Sequence, residues 1–302
     1  MHQIKISAIV CTHNREEHFG NAVHSLMNQN INQFEYEVII VDNASTDNTW
    51  ESLKREFGHV PNVRCLFEPG LGLSRARNRG WLSASGQYIA FLDDDALACK
   101  NWLKNLCTAL DDPEVGAAGG PIYPLYETAV PKWFNESLLP LYSCRDWGKC
   151  IIDLIPGQFF YGTNMAIKRD ILELVGGFRA DLGRRGTVLL SDEELAVFEE
   201  IEERGYKKRY VPECIVHHVI GSERLTMKWL MRRFYWLGRG EGIRDSDCEG
   251  NMNPSGMKRW MRRTTRNFMH PKYSAGFCTR LIPLVIFVGY LDSIAARKRA
   301  WM

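Results

Sequence analysis

The sequence predicts an α/β protein built on a mainly parallel sheet, and three observations support this fold class. Strand-like apolar runs alternate with longer helix-like runs over roughly the first hundred residues. The chain has 302 residues, enough for one large domain or two modest ones with a sizeable core. Its 45% hydrophobic and 25% charged residues are typical of globular proteins and exclude disordered, collagen-like and coiled-coil chains.

The elements of the first half follow from the period of their apolar residues. Strand-like runs are continuous, apolar and rich in β-branched residues, whereas apolar residues between them recur at spacings of three and four. Ser45 is placed to cap the second helix, and the acidic and amide residues after it suit a first helical turn. In chain order we predict strand Ile4–Cys11, helix Arg15–Asn28, strand Tyr36–Val41, helix Ser45–Phe57, strand Val63–Phe67, helix Leu73–Ala84 and strand Gln87–Leu92.

The second half is less regular, but several elements can still be predicted. Ser191 is a candidate N-cap with acidic residues in the following turn, and Gly205 is a suitable stop for that helix. The residues around Trp133 and Trp147 are rich in aromatics and resemble a loop. We predict strand Phe159–Lys168, helix Asp170–Val175, helix Ser191–Arg204, strands Lys208–Val211 and Cys214–Val219, basic helix Thr226–Arg239, a polar loop Asp245–Ser255 and an apolar run Leu281–Leu291.

Polar segments follow the predicted strands, at the edge where parallel sheets bind ligands. They are Thr12–Asn14, Asp42–Ser45, Glu68–Gly70 and Asp93–Asp95. Three of these four segments carry acidic residues, which is unusual for a phosphate site built from protein groups alone. The pattern is explained if a divalent cation bridges the acids to a phosphate. Mg²⁺ and Mn²⁺ bind one or two carboxylates together with substrate phosphates. The alternative for Asp93–Asp95 is a surface acidic turn.

An ordered series of motifs resembles the family 2 glycosyltransferases, which have the nucleotide-sugar-binding GT-A fold. The resemblance covers roughly residues 4 to 240, and it depends on the order of the motifs rather than on any one of them. The motifs are Ser7–Arg15, Val41–Asp47, Gly72–Gly80, Phe91–Asp95, Gly162–Ala166, Gly176–Phe178, Ser191–Glu194 and Val211–Glu213 leading to His217–His218.

The resemblance implies a nucleotide-sugar site at the strand ends. It implies that His13 stacks on the base, that Asp42 accepts hydrogen bonds from base or ribose, and that Arg77 lies near the base and phosphates. Asn43 stands where many relatives have a second aspartate. The alternatives are local hydrogen bonding for His13, an Asx turn for Asp42 and a solvated helix face for Arg77. The full set of nucleotide-sugar-binding candidates is Thr12, His13, Asn14, Arg15, Asp42, Asn43, Arg77, Asp93 and Asp94.

The resemblance also implies a bound Mn²⁺ or Mg²⁺. Asp95 and Asp93 are the carboxylate candidates, and a histidine after the Pro-Glu strand completes the coordination in similar enzymes. That position matches His218 best, with His217 beside it. Since a strand alternates its faces, only one of the two histidines can point into the site. The alternative is that both histidines serve as hydrogen-bonding residues at the end of a strand.

The candidate general base lies among Asp192, Glu193 and Glu194. Inverting glycosyl transfer needs a carboxylate that takes the proton of the acceptor hydroxyl. The family usually has Glu-Asp here, with the Asp as base, and that Asp falls on Glu194. Glutamate is one methylene longer than the aspartate that the family has here, and Asp192, one residue before the usual pair, can compensate for this difference. We rank Glu194 first and Asp192 second. The alternative is that these acids only favour the dipole of the following helix.

The bland net charge of +2 conceals a strong asymmetry. Residues 221–302 hold 16 Lys and Arg against 6 Asp and Glu, so the rest of the chain is acidic. Basic charges beside the apolar run Leu281–Leu291 favour peripheral contact with an anionic inner leaflet, since the run is too short to span a bilayer. The alternative is a C-terminal helix that packs on its own domain or on a second subunit. We expect no nucleic-acid partner.

The cysteines indicate a reducing compartment. Their number, nine, is odd, and no CxxC pair occurs, which argues against a disulfide framework and a zinc knuckle. Residues 1–11 are too short and interrupted for a signal peptide. We therefore expect a cytoplasmic protein, with possible peripheral attachment to the cytosolic face of the membrane.

These observations combine into one hypothesis about domains and function. We predict a GT-A domain over residues 1–221, with a nucleotide-binding half to about 115 and an acceptor half over 116–221, and a basic, mainly helical extension over 222–302. The predicted activity is metal-dependent, inverting transfer from a nucleotide-diphosphate sugar to a glycan or lipid-linked acceptor in polysaccharide biosynthesis. The alternatives are a non-catalytic nucleotide-sugar or glycan-binding module at the membrane, and a sugar nucleotidyltransferase.

Overall fold

A computed structural model describes residues 4–16, 19–31, 35–245 and 277–300. Within these residues, strands and helices alternate along the first half, as the sequence predicts. The strands are β1 Ile4–Thr12, β2 Glu35–Asn43, β3 Val63–Glu68, β4 Tyr88–Asp93, β5 Ala96–Ala98, β6 Val115–Gly119, β7 Ile122–Tyr126, β8 Ile152–Asp153, β9 Met165–Lys168, β10 Lys207–Tyr210 and β11 Val216–Ile220. The α-helices are α1 Gly20–Met27, α2 Thr49–Phe57, α3 Leu73–Ser83, α4 Trp102–Leu110, α5 Arg169–Leu174, α6 Glu193–Glu203, α7 Met227–Asp245 and α8 Phe277–Ala300.

The central sheet has the strand order β3-β2-β1-β4-β9-β6-β10-β8. Strands β1 to β4 are parallel to one another, and β10 is parallel to β6. Strand β9 runs antiparallel between β4 and β6, and β8 is antiparallel to β10. A second sheet has the order β5-β11-β7. The predicted mixed, mainly parallel sheet is therefore confirmed.

The sheet is buried on both faces, because helices cover each face and meet the side chains that alternate strand positions send to it. On β1, Val10 joins a core cluster formed with residues of α1, α2 and α4. Its neighbour Ile9 joins a second cluster, with residues of α3, α5 and α6. Helices on both faces leave the carboxyl-end edge of the sheet as the open side, where the polar segments lie.

Several element bounds differ from the sequence-based expectations. The predicted elements omit strands β5 to β8 and helix α4, although the buried residues of α4 recur at helical spacing. Helix α2 begins at Thr49, where Asp47 accepts the Thr49 backbone N–H, so Ser45 does not cap it. The strand predicted over Phe159–Lys168 is limited to β9. The predicted stop at Gly205 is confirmed, since Gly205 follows α6 with a φ of 81°.

Helices α7 and α8 pack closely against each other. Gly238 of α7 lies so near the Ile286 carbonyl that a methyl group there would overlap it, and Gly289 meets the Tyr235 backbone in the same way. The apolar run Leu281–Leu291 falls entirely inside α8. The loop predicted over Asp245–Ser255 lies, from residue 246 on, outside the described residues. Over the ranges that the structure describes, no helix combines the length and the apolar character needed to cross a membrane.

Asn164 connects three segments around the central sheet and should be important for stability. Its amide nitrogen donates to the carbonyls of Pro121 and Cys214, and its oxygen accepts from Trp102 Nε1 at 2.8 Å. The side chain is fully buried, so replacement strands several polar groups. We predict that Asn164→Ala lowers the free energy of unfolding by about 2–4 kcal/mol in urea titrations. The exposed Asn30→Ala should stay within about 0.5 kcal/mol of wild type, and equal effects would contradict this role.

Candidate active site

A cleft of about 330 Å³ opens at the carboxyl-end edge of β1 and β4. It brings together most of the predicted site residues from segments far apart in the chain. Asn14 and Asp42 are the two candidates that do not line it. The candidates that line the cleft are Thr12, His13, Arg15, Asn43, Arg77, Asp93, Asp94, Asp95, Asp192, Glu193, Glu194 and His218.

Three side chains form a candidate metal centre in this cleft. Asp93 ends β4, Asp95 follows it by two residues, and His218 lies on β11, which pairs with β5 just after the acidic turn. One potential ligand atom from each side chain lies within 4.8 Å of the other two. Two carboxylate oxygens and an imidazole nitrogen suit Mn²⁺, and the oxygens also suit Mg²⁺. The donor set therefore fits the predicted cation.

The orientation of His218 supports this fit. Its Nδ1 lies 2.8 Å from the Tyr142 carbonyl oxygen, which can only accept, so Nδ1–H donates and a neutral ring carries a lone pair on Nε2. That Nε2 lies 3.0 Å from Asp95 Oδ1. Two acceptors this close repel each other unless a proton or a metal cation lies between them. His217 points to the other face and is exposed beside the Tyr123 ring, as strand alternation predicts.

The charges around the acidic turn differ from one carboxylate to the next. Burial by itself raises the pKa of Asp95, but His218 and Arg224 lower that pKa well below its ordinary value. Burial and the neighbouring Asp95 raise the pKa of Asp94 to about 6. Thr12 Oγ1 donates to Asp94 at 2.7 Å and fixes this carboxyl in place. Asp95 is therefore ionised and available to a cation over the whole physiological range of pH.

Arg77 connects the acidic turn to the acidic segment that begins α6. Its guanidinium lies 3.5 Å from Asp93 Oδ1, 3.0 Å from Glu193 Oε1 and 3.1 Å from Glu194 Oε1. The side chain is almost fully buried and lies over the Phe178 ring at 5.5 Å. Arg77 is thus not on a solvated helix face, and it holds acids from two distant parts of the chain together.

The paired glutamates hold their protons differently. Burial and the adjacent Glu194 raise the pKa of Glu193 to about 8. Burial also acts to raise the pKa of Glu194, but Arg77 and the N–H of Gly162 outweigh it and lower that pKa. Any side chain at Gly162 would overlap Arg77, so glycine permits this contact. At neutral pH the pair therefore consists of a protonated Glu193 and an ionised Glu194.

Asp192 has a different environment from the two glutamates. It precedes α6 with a φ of 79°, a left-handed conformation that costs energy for a residue other than glycine. Its Oδ2 lies 3.0 Å from Arg244 on α7, and its Oδ1 lies 3.3 Å from Ser191 Oγ. The acidic segment is thus held from one side by Arg77 and from the other by α7.

The residues after β1 and β2 support the shape of the cleft. His13 Nδ1–H donates to the Asn43 carbonyl at 2.8 Å. Asn43 uses its amide to bind Gly70 O and Gly72 N, each at 2.8 Å, and so fixes the loop before α3. Asp42 accepts the Ser45 N–H at 2.9 Å, and burial raises its pKa.

Two further predicted residues lie beside these. Asn14 bonds Ser45 and Thr46 on the exposed side, with a φ of 52°. Arg15 reaches Asp95 at 3.7 Å and Asp94 at 4.0 Å. Arg15 therefore places a positive charge beside the acidic turn, whereas Asn14 joins the loops behind the cleft.

Sequence reasoning missed several cleft residues that come from the C-terminal part. Arg224 Nη1 lies 3.2 Å from Asp95 Oδ2 and 3.3 Å from His218 Nε2. Arg233 of α7 also lines the cleft, as does Leu237 one turn further on. Arg224 follows the histidine strand by only a few residues, which is a weak signal for it. The position of Arg233 depends on the tertiary packing of α7.

Comparison with known proteins gives consistent matches. A family model described as glycosyl transferase family 2 matches residues 7–176. The chain is 30% identical to a glucosyl-dolichyl phosphate glucuronosyltransferase of Haloferax volcanii, covering 80% of this chain and 78% of that protein. It is 28% identical to succinoglycan biosynthesis protein ExoM of Rhizobium meliloti, covering 77% and 72%. The solved mannosyltransferase PcManGT from Pyrobaculum calidifontis, in complex with GDP-Man and Mn²⁺, has a TM-score of 0.59 at 20% identity and covers 99% of this chain and 88% of its own.

The raised pKa of Glu193 predicts a pH-dependent loss of stability. Between the ordinary value of 4.5 and about 8, the folded state holds a proton that the unfolded state has released. The free energy of unfolding should therefore fall as pH rises through this window, by up to about 1.4 kcal/mol per pH unit. Urea titrations from pH 5 to 8 should show that Glu193→Gln removes this part of the decline. The exposed Glu203→Gln should keep it, and parallel curves for wild type and Glu193→Gln would contradict the assignment.

Proposed function

The chain belongs to glycosyl transferase family 2, and we propose that it transfers a sugar from a nucleotide-diphosphate donor to an acceptor hydroxyl with inversion. As a family member it is a glycosyltransferase, and the structural likeness confirms the predicted GT-A fold. The observation that carries the proposal is the contact of Arg77 with both Asp93 and Glu194. It sets a candidate base beside a candidate metal centre in one cleft.

The donor side of the proposal rests on the acidic turn. Asp93, Asp95 and His218 would hold Mn²⁺ or Mg²⁺. Such a cation, when bound, neutralises negative charge on the departing diphosphate. His13 lines the cleft with a ring fixed by its bond to Asn43, and we propose that this ring stacks on the nucleotide base. In this proposal Asn43 supports the loop around Gly70 and contributes shape rather than a direct base contact.

Glu194 is the proposed general base. A base must be ionised before it can take a proton, and the pKa of Glu194 is lowered by Arg77 and Gly162 against the effect of burial. Protonated Glu193 would keep the pair from carrying two negative charges. As the acceptor oxygen attacks the anomeric carbon, its proton passes to Glu194, and the bond to the diphosphate breaks. Asp192 is the second candidate, but each of its two oxygens has a partner, Ser191 on Oδ1 and Arg244 on Oδ2. In Glu194, by contrast, Arg77 and Gly162 share one oxygen.

The acceptor is proposed as a glycan or a lipid-linked saccharide in polysaccharide biosynthesis. Two relatives support this class by name, since one acts on glucosyl-dolichyl phosphate and the other belongs to succinoglycan biosynthesis. Phe159 and Tyr161 line the cleft and offer aromatic faces on which a sugar could stack.

Contact with the cytosolic face of a membrane is proposed for α8. Leu284, Phe287, Val288 and Leu291 are exposed, and their spacing puts them on one face of the helix. In the sequence, residues 297–299 near the end of this helix are basic, and their positive charge would favour contact with anionic lipids. All the cysteines whose side chains the structure describes are free, which is compatible with a reducing cytosol.

Conservative substitutions separate the candidate bases. We predict that Glu194→Gln lowers kcat by about 10²–10⁴-fold, because the amide cannot accept the hydroxyl proton. The Kd of the donor, measured by calorimetry with Mn²⁺, should change only a few-fold. Asp192→Asn should lose much less activity than Glu194→Gln. A large loss in Asp192→Asn with near-normal Glu194→Gln would assign the base to Asp192 instead.

The membrane proposal predicts binding to vesicles. Wild-type protein should cosediment with anionic vesicles more than with neutral ones, and less as salt is raised. The double variant Leu284→Ser/Leu291→Ser should bind at least about tenfold more weakly, since each exposed leucine contributes on the order of 1.5 kcal/mol when buried in lipid. Leu82→Ser, on the exposed side of α3, is the matched control. Unchanged binding of the double variant would exclude α8 as the contact.

A further inference from the structure

A group of three arginines lines the same cleft as the acidic residues, and the proposed reaction gives them no role. Arg184 precedes the acidic segment, Arg224 follows β11, and Arg233 lies on α7. Burial lowers the pKa of both Arg224 and Arg233, and the charge on Arg184 lowers each of them further. Like charges that repel one another in a partly dry cleft cost free energy, and a bound anion would offset that cost.

Arg233 is a buried cation that makes no ion pair with the side chains that the structure describes. Its guanidinium donates to the carbonyls of Leu141 and Leu189 and to Ser191 Oγ, at 3.2–3.3 Å, and all three acceptors are uncharged. Within the described ranges no carboxylate lies within 4.0 Å of it, although Asp192 acts on it from further away. Burial first, and then Arg184, lower its pKa to about 10, so it stays charged at neutral pH.

The guanidinium of Arg224 is only partly hydrogen-bonded within the part of the chain that the structure describes. Its Nη1 is used by Asp95 and His218. Its Nε and Nη2 are buried and have no hydrogen-bond partner among the residues that the structure describes. A buried N–H group without a partner costs on the order of 1–3 kcal/mol, more for a charged group, so such donors are normally satisfied. Both atoms are enclosed by protein, and the guanidinium lies over the Trp229 ring at 5.4 Å. Arg224 is therefore an incompletely compensated cation in the wall of the cleft, and its charge would favour an anion bound there.

Arg184 completes the group from the other side of the acidic segment. Its side chain is half-buried, and over the described part of the chain it makes no ion pair. Only its backbone carbonyl is used, by the N–H of Leu73 at 2.8 Å. The adjacent Gly183 packs against Glu193, so Arg184 is held beside the proposed reaction centre.

We propose that Arg184, Arg224 and Arg233 form a cationic subsite for an anionic group, a carboxylate or a phosphate, on the transferred sugar or on the acceptor. This inference rests on the proposed function. Arg233 contacts Ser191 at the start of the acidic segment, where the reacting sugar and acceptor would meet, and it has no contact with the candidate metal ligands. Guanidinium groups bind carboxylate and phosphate oxygens through paired N–H donors, which makes arginine suited to this recognition.

Binding of matched neutral and anionic probes tests the subsite. With Mn²⁺ present, calorimetry would compare UDP-glucose with UDP-glucuronate, GDP-mannose with GDP-mannuronate, and a prenyl glucoside with a prenyl phosphate-linked glucose, with UDP and GDP alone as references. We expect one anionic member to bind at least about tenfold more tightly than its neutral partner, as for a charge-assisted hydrogen bond. A preference among the donors would assign a carboxylate on the sugar, and a preference among the acceptors would assign a phosphate on the lipid.

Variants connect the preference to the arginines. Arg184→Gln should reduce it to about twofold or less while the Kd of UDP and GDP stays unchanged. The neighbouring Arg185 is exposed and does not line the cleft, so Arg185→Gln should keep the full preference. No preference for any anionic probe, or one that survives in both Arg184→Gln and folded Arg233→Gln, would overturn the subsite. If no nucleotide or nucleotide sugar binds at all, the proposed function fails first and the subsite fails with it.

Discussion

The buried guanidinium of Arg77 is the interaction on which the cleft depends. It extends from α3 and contacts Asp93 at the end of β4 and both glutamates at the start of α6. Without this cation, the buried carboxylates would repel one another and carry uncompensated charge, which is strongly destabilising. The bare backbone of Gly162 leaves the room that the guanidinium needs. Arg77 therefore fixes the spacing between the candidate metal centre and the candidate base, and together with the Gly162 N–H it lowers the pKa of Glu194.

The charge asymmetry of the sequence has a partly internal explanation. Arg224, Arg233 and Arg244 belong to the basic C-terminal part, yet the first two line the cleft and the third pairs with Asp192. Some of the positive charge thus faces the acidic residues of the candidate site rather than a distant surface. Acids that attract a cation and arginines that attract an anion lie around one volume, as a metal-bound diphosphate and a charged substrate would require. The domain boundary predicted at residue 221 stays a prediction, because residues from both sides of it line the same cleft.

The sequence predicted those features that depend on local pattern. The alternating elements of the first half and the acids at the strand ends follow from short-range periodicity and from the geometry of a parallel sheet. Strand alternation also predicts that only one histidine of β11 points inward, and the family resemblance selected His218. It could not show that Arg224 meets Asp95, since 129 residues separate them, or that Asn43 holds the loop at Gly70. Helix α4 had a readable pattern that the predicted elements omit, whereas the contacts of α7 depend on tertiary packing.

The central claim is that this cleft transfers a sugar and inverts its anomeric centre. The most direct measurement is product analysis by NMR after incubation with Mn²⁺, a nucleotide sugar and a saccharide acceptor. We expect release of a nucleoside diphosphate and formation of a glycoside whose anomeric configuration is opposite to that of the donor. Release of pyrophosphate, or a product that retains the configuration of the donor, would contradict it.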